Sequence, residues 1–142
     1  MFNQILMALK FGVASEFALV KGIELARAHD AELHIFHALD FTLNELEEDD
    51  PKRVKVIEDA QQQYAAKIKP LLADFEKGSF ICLPADPAMK TCKMAREMNV
   101  DLIILGCHQL PEKMCLGRVD YIGMTILEKA PCPVMLVPLC DG

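Results

Sequence analysis

Short apolar runs alternate along the chain with longer stretches in which apolar residues recur every three or four positions. The apolar runs predict five strands: Ile5–Leu9, Leu33–Ala38, Ser79–Leu83, Asp101–Gly106 and Pro133–Val137. Strands that alternate with helices form parallel sheets through right-handed crossovers. The pattern therefore predicts an α/β fold, a doubly wound five-stranded parallel sheet with helices on both faces, in a single domain spanning residues 1–142. In such sheets the ligand crevice lies at the carboxyl ends of the strands.

The first two predicted helices connect the first three strands. One covers Ala14–His29; the other starts at Pro51, behind Asp50 as its N-cap. We expect Pro70 to disturb the last turns of this second helix and Gly78 to end it. The apolar residues at helical spacing are Phe17, Leu19, Val20, Ile23 and Ala26 in the first helix, and Val54, Ile57, Tyr64, Ile68, Leu71 and Phe75 in the second.

The remaining helices connect the last three strands. The third opens at Asp86-Pro87, again an acidic cap followed by proline, and the fourth follows a loop over Cys107–Leu116. The apolar residues predicted to face inward are Met89, Cys92 and Ala95 in the third helix, and Val119, Ile122, Ile126 and Leu127 in the fourth.

Composition and charge exclude several classes of protein. The 142 residues carry 15 basic and 21 acidic side chains, a net charge of −6, and five of the acids lie between Glu45 and Asp50. The balance elsewhere is near neutral, without the basic footprint that nonspecific nucleic-acid binding requires. No apolar run is long enough to span a membrane, and no secretory signal is recognisable. Six cysteines, some inside apolar runs, are typical of a reduced, cytoplasmic protein.

The common nucleotide-binding and phosphoryl-accepting motifs are absent. Lys10 to Ser15, after the first strand, contains the single glycine Gly12 instead of Gly-x-Gly-x-x-Gly. There is no phosphate-binding loop with lysine followed by serine or threonine. Lys10 also stands where a response-regulator receiver needs an acidic pair. These observations argue against dehydrogenases, P-loop enzymes and receiver domains.

Metal and nucleophile sites are also poorly supported. Cys107 and His108, with Cys115 further on, are suitable ligand types but lack a fourth ligand at a recognisable spacing. His34 and His37 lie three apart on a strand and point to opposite faces. We therefore predict no metal and no catalytic residue. The acidic run from Glu45 to Asp50 is interpreted as a solvated loop.

Glycines flank the loop between the fourth strand and the last helix. Gly106 ends the strand and Gly117 precedes the helix. Backbone amides at a helix N-terminus can form an anion site, but without further glycines a tight turn alone explains these positions slightly better.

Several segments together resemble the universal stress protein family. They are the strand Ile5–Leu9, the segment Ala31–His37, the strand Val100–Gly106 and the stretch Ala130–Val137, which reads Ala-Pro-Cys-Pro-Val-Met-Leu-Val. Family members carry a similar Asp-Leu-Ile-Val-x-Gly strand and a Cys-Pro-Val-Leu-Val-Val terminal strand. The resemblance covers essentially the whole chain, the middle third in pattern only. It implies the strand order 3-2-1-4-5 of the adenine-nucleotide α-hydrolase-like fold.

Nucleotide-binding members of the family carry Gly-x-x-Gly, then a Gly-Ser or Gly-Thr pair, and an aspartate after the first strand. Gly106 is kept here, but Gln109 replaces the second glycine and Lys10 stands in place of the aspartate. The Gly-Ser pair falls on Asp120, with Val119 or Tyr121 beside it.

These substitutions predict that ATP binds weakly. Asp120 places negative charge beside a phosphate, Gln109 puts a side chain where the backbone must approach, and Tyr121 is expected to fill the remaining space. We expect any ATP affinity to be weaker than about 100 μM, although adenosine could still enter the crevice. The candidate nucleotide-contacting residues of this degenerate site are Leu9, Lys10, Ala38, Gly106, His108, Gln109, Gly117, Arg118, Val119, Asp120 and Tyr121.

The segment Gly106–Gln109 is similar to the Gly-His-His-Gln of the universal stress protein A class, whose members are generally regarded as not binding ATP. The ending Val137-Pro138-Leu139 also fits that class. The resemblance implies a cytoplasmic, non-enzymatic stress-response protein without a cofactor. It also implies a homodimer that pairs through the last strand, with Val134, Leu136 and Val137 as candidate interface residues.

Two other functions stay open. The first is an adenine-nucleotide sensor, binding ATP or AMP, whose phosphate contacts have been rebuilt with positive charge from Lys10, His108 or Arg118. The second is an enzyme of the wider α-hydrolase-like superfamily, for which the sequence offers no recognisable catalytic constellation.

Overall fold

The computed structural model describes residues 1–108 and 120–139. Its strands are β1 (Gln4–Ala8), β2 (Glu32–Leu39), β3 (Gly78–Pro84), β4 (Leu102–His108) and β5 (Val134–Leu139). They form a parallel five-stranded sheet in the order β3-β2-β1-β4-β5, which confirms the predicted fold class and strand order. β4 extends further than expected, so the prediction that Cys107 and His108 belong to the following loop is wrong.

Helices cover both faces of the sheet. They are α1 (Val13–His29), α2 (Pro51–Gln63), α3 (Lys69–Leu72), α4 (Pro87–Glu97) and α5 (Tyr121–Lys129), with a short 3-10 helix at Phe41–Glu45. One core cluster joins the sheet to α1 and the α2–α3 region, and a second joins it to α4 and α5. No helix in these residues is long and apolar enough to cross a membrane.

Aspartate caps start three of the α-helices, namely α2, α4 and α5. Asp50 accepts a hydrogen bond from the Lys52 amide at 2.9 Å, and Asp86 accepts one from Met89 at the same distance. A proline follows each of these two caps, in the first helical position where its missing N–H removes no helical bond. The predicted starts of the second and third helices are therefore confirmed.

The second predicted helix is interrupted, and its predicted end at Gly78 is wrong. A π-helical turn covers Tyr64–Ile68, and the Lys69 amide bonds to the Tyr64 carbonyl five residues earlier. This wider turn directly precedes Pro70, which cannot donate to the regular α-helical ladder. The helix stops at Leu72, and Gly78 is instead the first residue of β3.

Four residues predicted to face the core are substantially exposed. Helical spacing explains one of them, because the buried side of α4 is formed by Ala88, Thr91, Cys92, Met94 and Ala95, which leaves Met89 outside. In α5 the buried residues are Gly123 and Ile126, and Leu127, the residue after Ile126, points away from the sheet. The exposed fractions are 37% for Val20, 36% for Val54, 47% for Met89 and 41% for Leu127.

Candidate functional site

A pocket of about 240 Å³ lies at the carboxyl ends of β1, β2 and β4. β2 lies next to β1 on one side, whereas β4 lies next to β1 on the other side, so the direction in which strands are added reverses at β1. This reversal is the position where doubly wound sheets bind ligands. The described lining residues are Ala8, Leu9, Lys10, Ser15, Phe36, His37, Ala38, Pro87, Thr91, Leu105, Gly106, Cys107, Asp120, Ile122, Gly123 and Leu136.

An ion pair between Lys10 and Asp120 lies at the mouth of the pocket. Asp120 is the N-cap of α5, and its Oδ1 accepts a hydrogen bond from the Gly123 amide at 2.7 Å. Its other oxygen, Oδ2, lies 2.6 Å from the Nζ of Lys10, a residue in the segment that follows β1. The carboxylate therefore takes the position where the N-terminus of α5 would attract an external anion.

Asp120 stays ionised at neutral pH. Burial of the carboxyl group opposes ionisation, but hydrogen bonds from Lys10 and from the Gly123 amide, together with the Lys10 charge, lower the pKa of Asp120. The side chains of Lys10 and Asp120 are 64% and 55% exposed, so water screens the pair and it contributes only about 0–1 kcal/mol to stability. The ion pair matters because it holds the negatively charged Asp120 carboxylate at the mouth of the pocket.

Most polar groups around the pocket already have partners within the protein. The Lys10 amide donates to Ser15 Oγ at 3.1 Å, which ties the end of β1 to the first turn of α1. His37 Nδ1 donates to the Leu9 carbonyl at 2.8 Å, and Thr91 Oγ1 donates to the Pro87 carbonyl at 2.6 Å. The rest of the lining is largely apolar, which favours a small ligand with an aromatic or aliphatic body.

Gly106 has a packing role that the sequence interpretation did not anticipate. A Cβ atom at this position would lie 2.7 Å from the Ala14 carbonyl oxygen and 3.2 Å from Ala18 Cβ. Only glycine therefore lets β4 and α1 approach this closely. Gly106 does line the pocket, but the observed contact explains the glycine without a phosphate.

The pocket brings together five of the predicted site residues: Leu9, Lys10, Ala38, Gly106 and Asp120. Tyr121 is 83% exposed and does not line it, so the expectation that its ring fills the crevice is wrong. The reason is that Tyr121 begins α5, directly after the cap, on the outer side of the helix. The predicted residues Gln109, Gly117, Arg118 and Val119, and the side chain of His108, lie outside the described part of the chain.

The sequence interpretation missed Ser15, Thr91 and Leu136 as pocket residues. Ser15 and Thr91 each lie in the early turns of a helix that follows a strand, and this position is a usable signal because such turns border the crevice. Leu136 was predicted for the dimer interface, yet its side chain lines the pocket.

β5 is an edge strand, and its side chains face mainly inward. Val137 is only 8% exposed and belongs to the core cluster around α1. Val134 packs against the cluster around α4 and α5. The Pro133 carbonyl accepts from the Ile103 amide of β4. Because successive backbone groups alternate in direction along a strand, the Val134 and Leu136 amides point toward the open edge.

The described cysteines are free thiols. Burial raises the pKa of Cys82 to about 11 and also raises the pKa of Cys92 and of Cys132. These thiols are therefore poor nucleophiles at neutral pH. In residues 1–108 and 120–139 no group of three or more potential ligands is arranged to hold a metal ion, and Cys115 lies outside these ranges.

The strand order and the crevice at the reversal point define a doubly wound protein with an adenine-nucleotide hydrolase-like fold. The sequence profile of the universal stress protein family matches residues 1–138. The chain therefore belongs to the universal stress protein family.

Individual relatives are similar over nearly the whole chain. The universal stress protein YxiE of Bacillus subtilis is 25% identical over 160 aligned positions, covering 96% of this chain and 99% of YxiE. The structure of the protein MJ0577 superposes with a TM-score of 0.72 at 17% identity, covering 100% and 99% of the two chains. The universal stress protein from Archaeoglobus fulgidus, solved in complex with dAMP, gives 0.69 at 14% identity, covering 95% and 97%. The two structural likenesses support the fold.

Proposed function

We propose that this chain is a stress-response protein of the universal stress protein A class that does not bind ATP tightly. In this proposal it is a cytoplasmic, non-enzymatic homodimer without a cofactor and acts through contacts with other proteins. The observation that carries the proposal is the Asp120 carboxylate, which caps α5 and faces the pocket mouth.

The electrostatic cost of a phosphate beside this carboxylate is substantial. Two like unit charges about 4 Å apart repel by roughly 1 kcal/mol in water and about 4 kcal/mol at an effective dielectric constant near 20. These values correspond to a loss of affinity between about fivefold and a thousandfold. Lys10 offsets part of this repulsion, but its Nζ is already engaged by Asp120 at 2.6 Å. The partial positive charge at the N-terminus of α5 would otherwise favour an anion, but it already interacts with the Asp120 carboxylate.

Neutral replacements of Asp120 test whether the carboxylate excludes phosphate. Asp120→Asn and Asp120→Ser keep a good N-cap while removing the charge, and both leave Lys10 free to meet an anion. We expect their ATP affinity, measured by isothermal titration, to rise at least tenfold over the wild type. Asp120→Glu is the matched control because it retains the negative charge, and its affinity should stay at the wild-type value. If all three variants bind ATP as weakly as the wild type, the carboxylate is not what excludes phosphate.

The geometry of β5 supports the proposed dimer. β5 is an edge of the sheet, and the Val134 and Leu136 amides point outward. Position 138 is a proline, which is tolerated where a backbone N–H would face away from the neighbouring strand. A second β5 could therefore pair with this edge through the outward groups without disturbing the β4–β5 ladder.

Light scattering coupled to size-exclusion chromatography tests the dimer. At low micromolar concentration we expect twice the 15.9 kDa mass of the chain. Leu136→Pro removes an outward amide and should yield monomers, while Leu136→Ala keeps the amide and should remain dimeric. A wild-type protein that elutes as a monomer contradicts this part of the proposal.

The second candidate function is an adenine-nucleotide sensor. It is favoured by the relative from Archaeoglobus fulgidus, which was solved with dAMP, and by the largely apolar pocket, which suits a purine ring. A sensor of this kind should bind AMP at least tenfold more tightly than adenosine, since the phosphate would add affinity. The proposal advanced here predicts the opposite order, because Asp120 repels the phosphate.

A further inference from the structure

A continuous groove runs along the outer face of α4, on the side away from the pocket. Its two halves share Ala85, Asp86 and Lys90. Phe41 and Asn44 line one end, and Lys93 and Arg96 line the other. Met89 lines the same half as Lys93 and Arg96. We call the surface lined by these eight residues the α4 groove.

Large apolar side chains are exposed in the α4 groove. Phe41 is 60% exposed and Met89 is 47% exposed. Nothing in the core explains the position of Phe41, because the buried residue of its 3-10 helix is Leu43. Each of these side chains offers apolar surface that a bound partner would bury.

One end of the groove is basic. Lys90, Lys93 and Arg96 recur every three residues and so follow one another along α4, over about 9 Å at 1.5 Å per residue. Among the described residues, their one ion pair joins Lys93 to Glu97 of the same helix, at 3.9 Å. Most of this positive charge is therefore available to a partner.

The other end of the groove leads into the acidic run of the chain. Asn44 Nδ2 donates to the Pro84 carbonyl at 3.3 Å, which fixes the 3-10 helix to the end of β3. The acidic residues begin at the next position, and Arg53 holds the segment by donating to the carbonyls of Leu43 and Leu46. None of the acidic side chains forms an ion pair within the described ranges: Glu45, Glu47, Glu48, Asp49 and Asp50.

Charge along this surface therefore changes from acidic, through the apolar Phe41, to basic. A surface that carries opposite charges at two places, with an exposed apolar side chain between them, is complementary to its own copy after a two-fold rotation. Asp86 is the one carboxylate among the groove residues, and its Oδ1 is engaged by the Met89 amide. We propose that the α4 groove docks a second copy of this chain, with the acidic run of each copy on Lys90, Lys93 and Arg96 of the other.

This interface is separate from the dimer proposed at β5. The groove lies beside the end of β3, at the opposite edge of the sheet. The two associations should also respond differently to salt, because one rests on exposed charges and the other on backbone hydrogen bonds. A chain that uses both interfaces forms assemblies larger than a dimer.

Concentration-dependent light scattering tests the proposal. At about 50 mM NaCl we expect the mean mass of the wild type to rise with concentration above the value seen at high dilution. At about 500 mM NaCl, where screening is strong, the dissociation constant of this step should increase at least tenfold. Phe41→Ser should weaken the same step without unfolding the chain, because Phe41 is mostly exposed. A mass that does not depend on concentration or salt overturns the proposal.

Charge reversal gives the sharper test. The triple variant Lys90→Glu, Lys93→Glu, Arg96→Glu and the triple variant Glu47→Lys, Glu48→Lys, Asp49→Lys should each lose the salt-sensitive association. Mixed in equal amounts they should associate again, because every charge contact is then restored between unlike copies. Lys55→Glu, Lys67→Glu, Lys69→Glu makes the same change in net charge elsewhere on the exposed surface and should behave as the wild type. If the mixture stays dissociated, a second copy is not the occupant and a foreign acidic segment is the alternative.

Discussion

Gly106→Ala should destabilise the protein, because the space for a side chain at this position is already occupied. The added Cβ would lie 2.7 Å from the Ala14 carbonyl oxygen and 3.0 Å from its carbon, both backbone atoms that cannot rotate away. α1 would have to move off β4 by several tenths of an ångström. The consequence reaches the site, because α1 carries Ser15, which hydrogen-bonds the Lys10 amide.

The size of the effect follows from two opposing contributions. Forcing an extra methyl group into a well-packed contact costs about 1–3 kcal/mol. Replacing glycine by alanine also restricts the unfolded chain, which stabilises the protein by about 0.4–1 kcal/mol. We expect a net loss of about 1–2 kcal/mol, which lowers a urea midpoint by about 0.5–1 M when the slope is near 2 kcal/mol per M.

Urea unfolding followed by circular dichroism measures this loss. Gly12→Ala is the matched control, because a Cβ at Gly12 would meet nothing within 4 Å and its backbone is extended. The control should differ from the wild type by no more than about 0.5 kcal/mol. If Gly106→Ala unfolds at the same urea concentration as Gly12→Ala, the close contact between β4 and α1 is not what requires the glycine.

Three further predictions concern titratable groups. Burial lowers the pKa of His34, although the charge of Glu32 opposes this shift. The wild type should therefore lose stability as pH falls below about 6.5. Urea unfolding at pH 7.5 and 5.5 should show a smaller loss of stability for His34→Asn than for the wild type. Because the pKa of Cys82 is raised to about 11, alkylation mapped by mass spectrometry should label Cys82 of the native protein roughly a hundredfold more slowly than a free thiol at pH 8. Since the pKa of Asp120 is lowered, the stabilising effect of its charge should be complete above about pH 4 and disappear at lower pH, so wild type and Asp120→Asn should converge in acid unfolding.

The fold was predictable because each strand is an apolar run separated from the next by a clear helix signal. Asp50-Pro51 and Asp86-Pro87 give helix starts that depend on local hydrogen bonds alone. The sequence predicted that Pro70 would disturb the last turns of the second helix. It did not predict the π-helical turn that accommodates the proline, because this turn depends on how the helix packs on the sheet. Local rules predict where elements begin better than how they end.

The site was only partly predictable, for a physical reason. The family's nucleotide-binding motif identified Lys10, Gly106 and Asp120 as candidates, and all three line the pocket, at carboxyl ends of strands or at the helix start beside them. What these residues do depends on partners distant in sequence: Asp120 pairs with Lys10, and Gly106 meets α1. The direction of Tyr121 also depends on tertiary packing, which is why its prediction failed.

Isothermal titration of the wild-type protein with ATP, AMP and adenosine tests whether the Asp120 carboxylate, held at the N-terminus of α5 by Gly123 and Lys10, keeps phosphates out of the pocket. We predict that ATP binds more weakly than about 100 μM and that adenosine binds at least as well as AMP and ATP. Submicromolar binding of ATP, with affinity increasing from adenosine to AMP to ATP, would contradict the account and establish the nucleotide sensor instead.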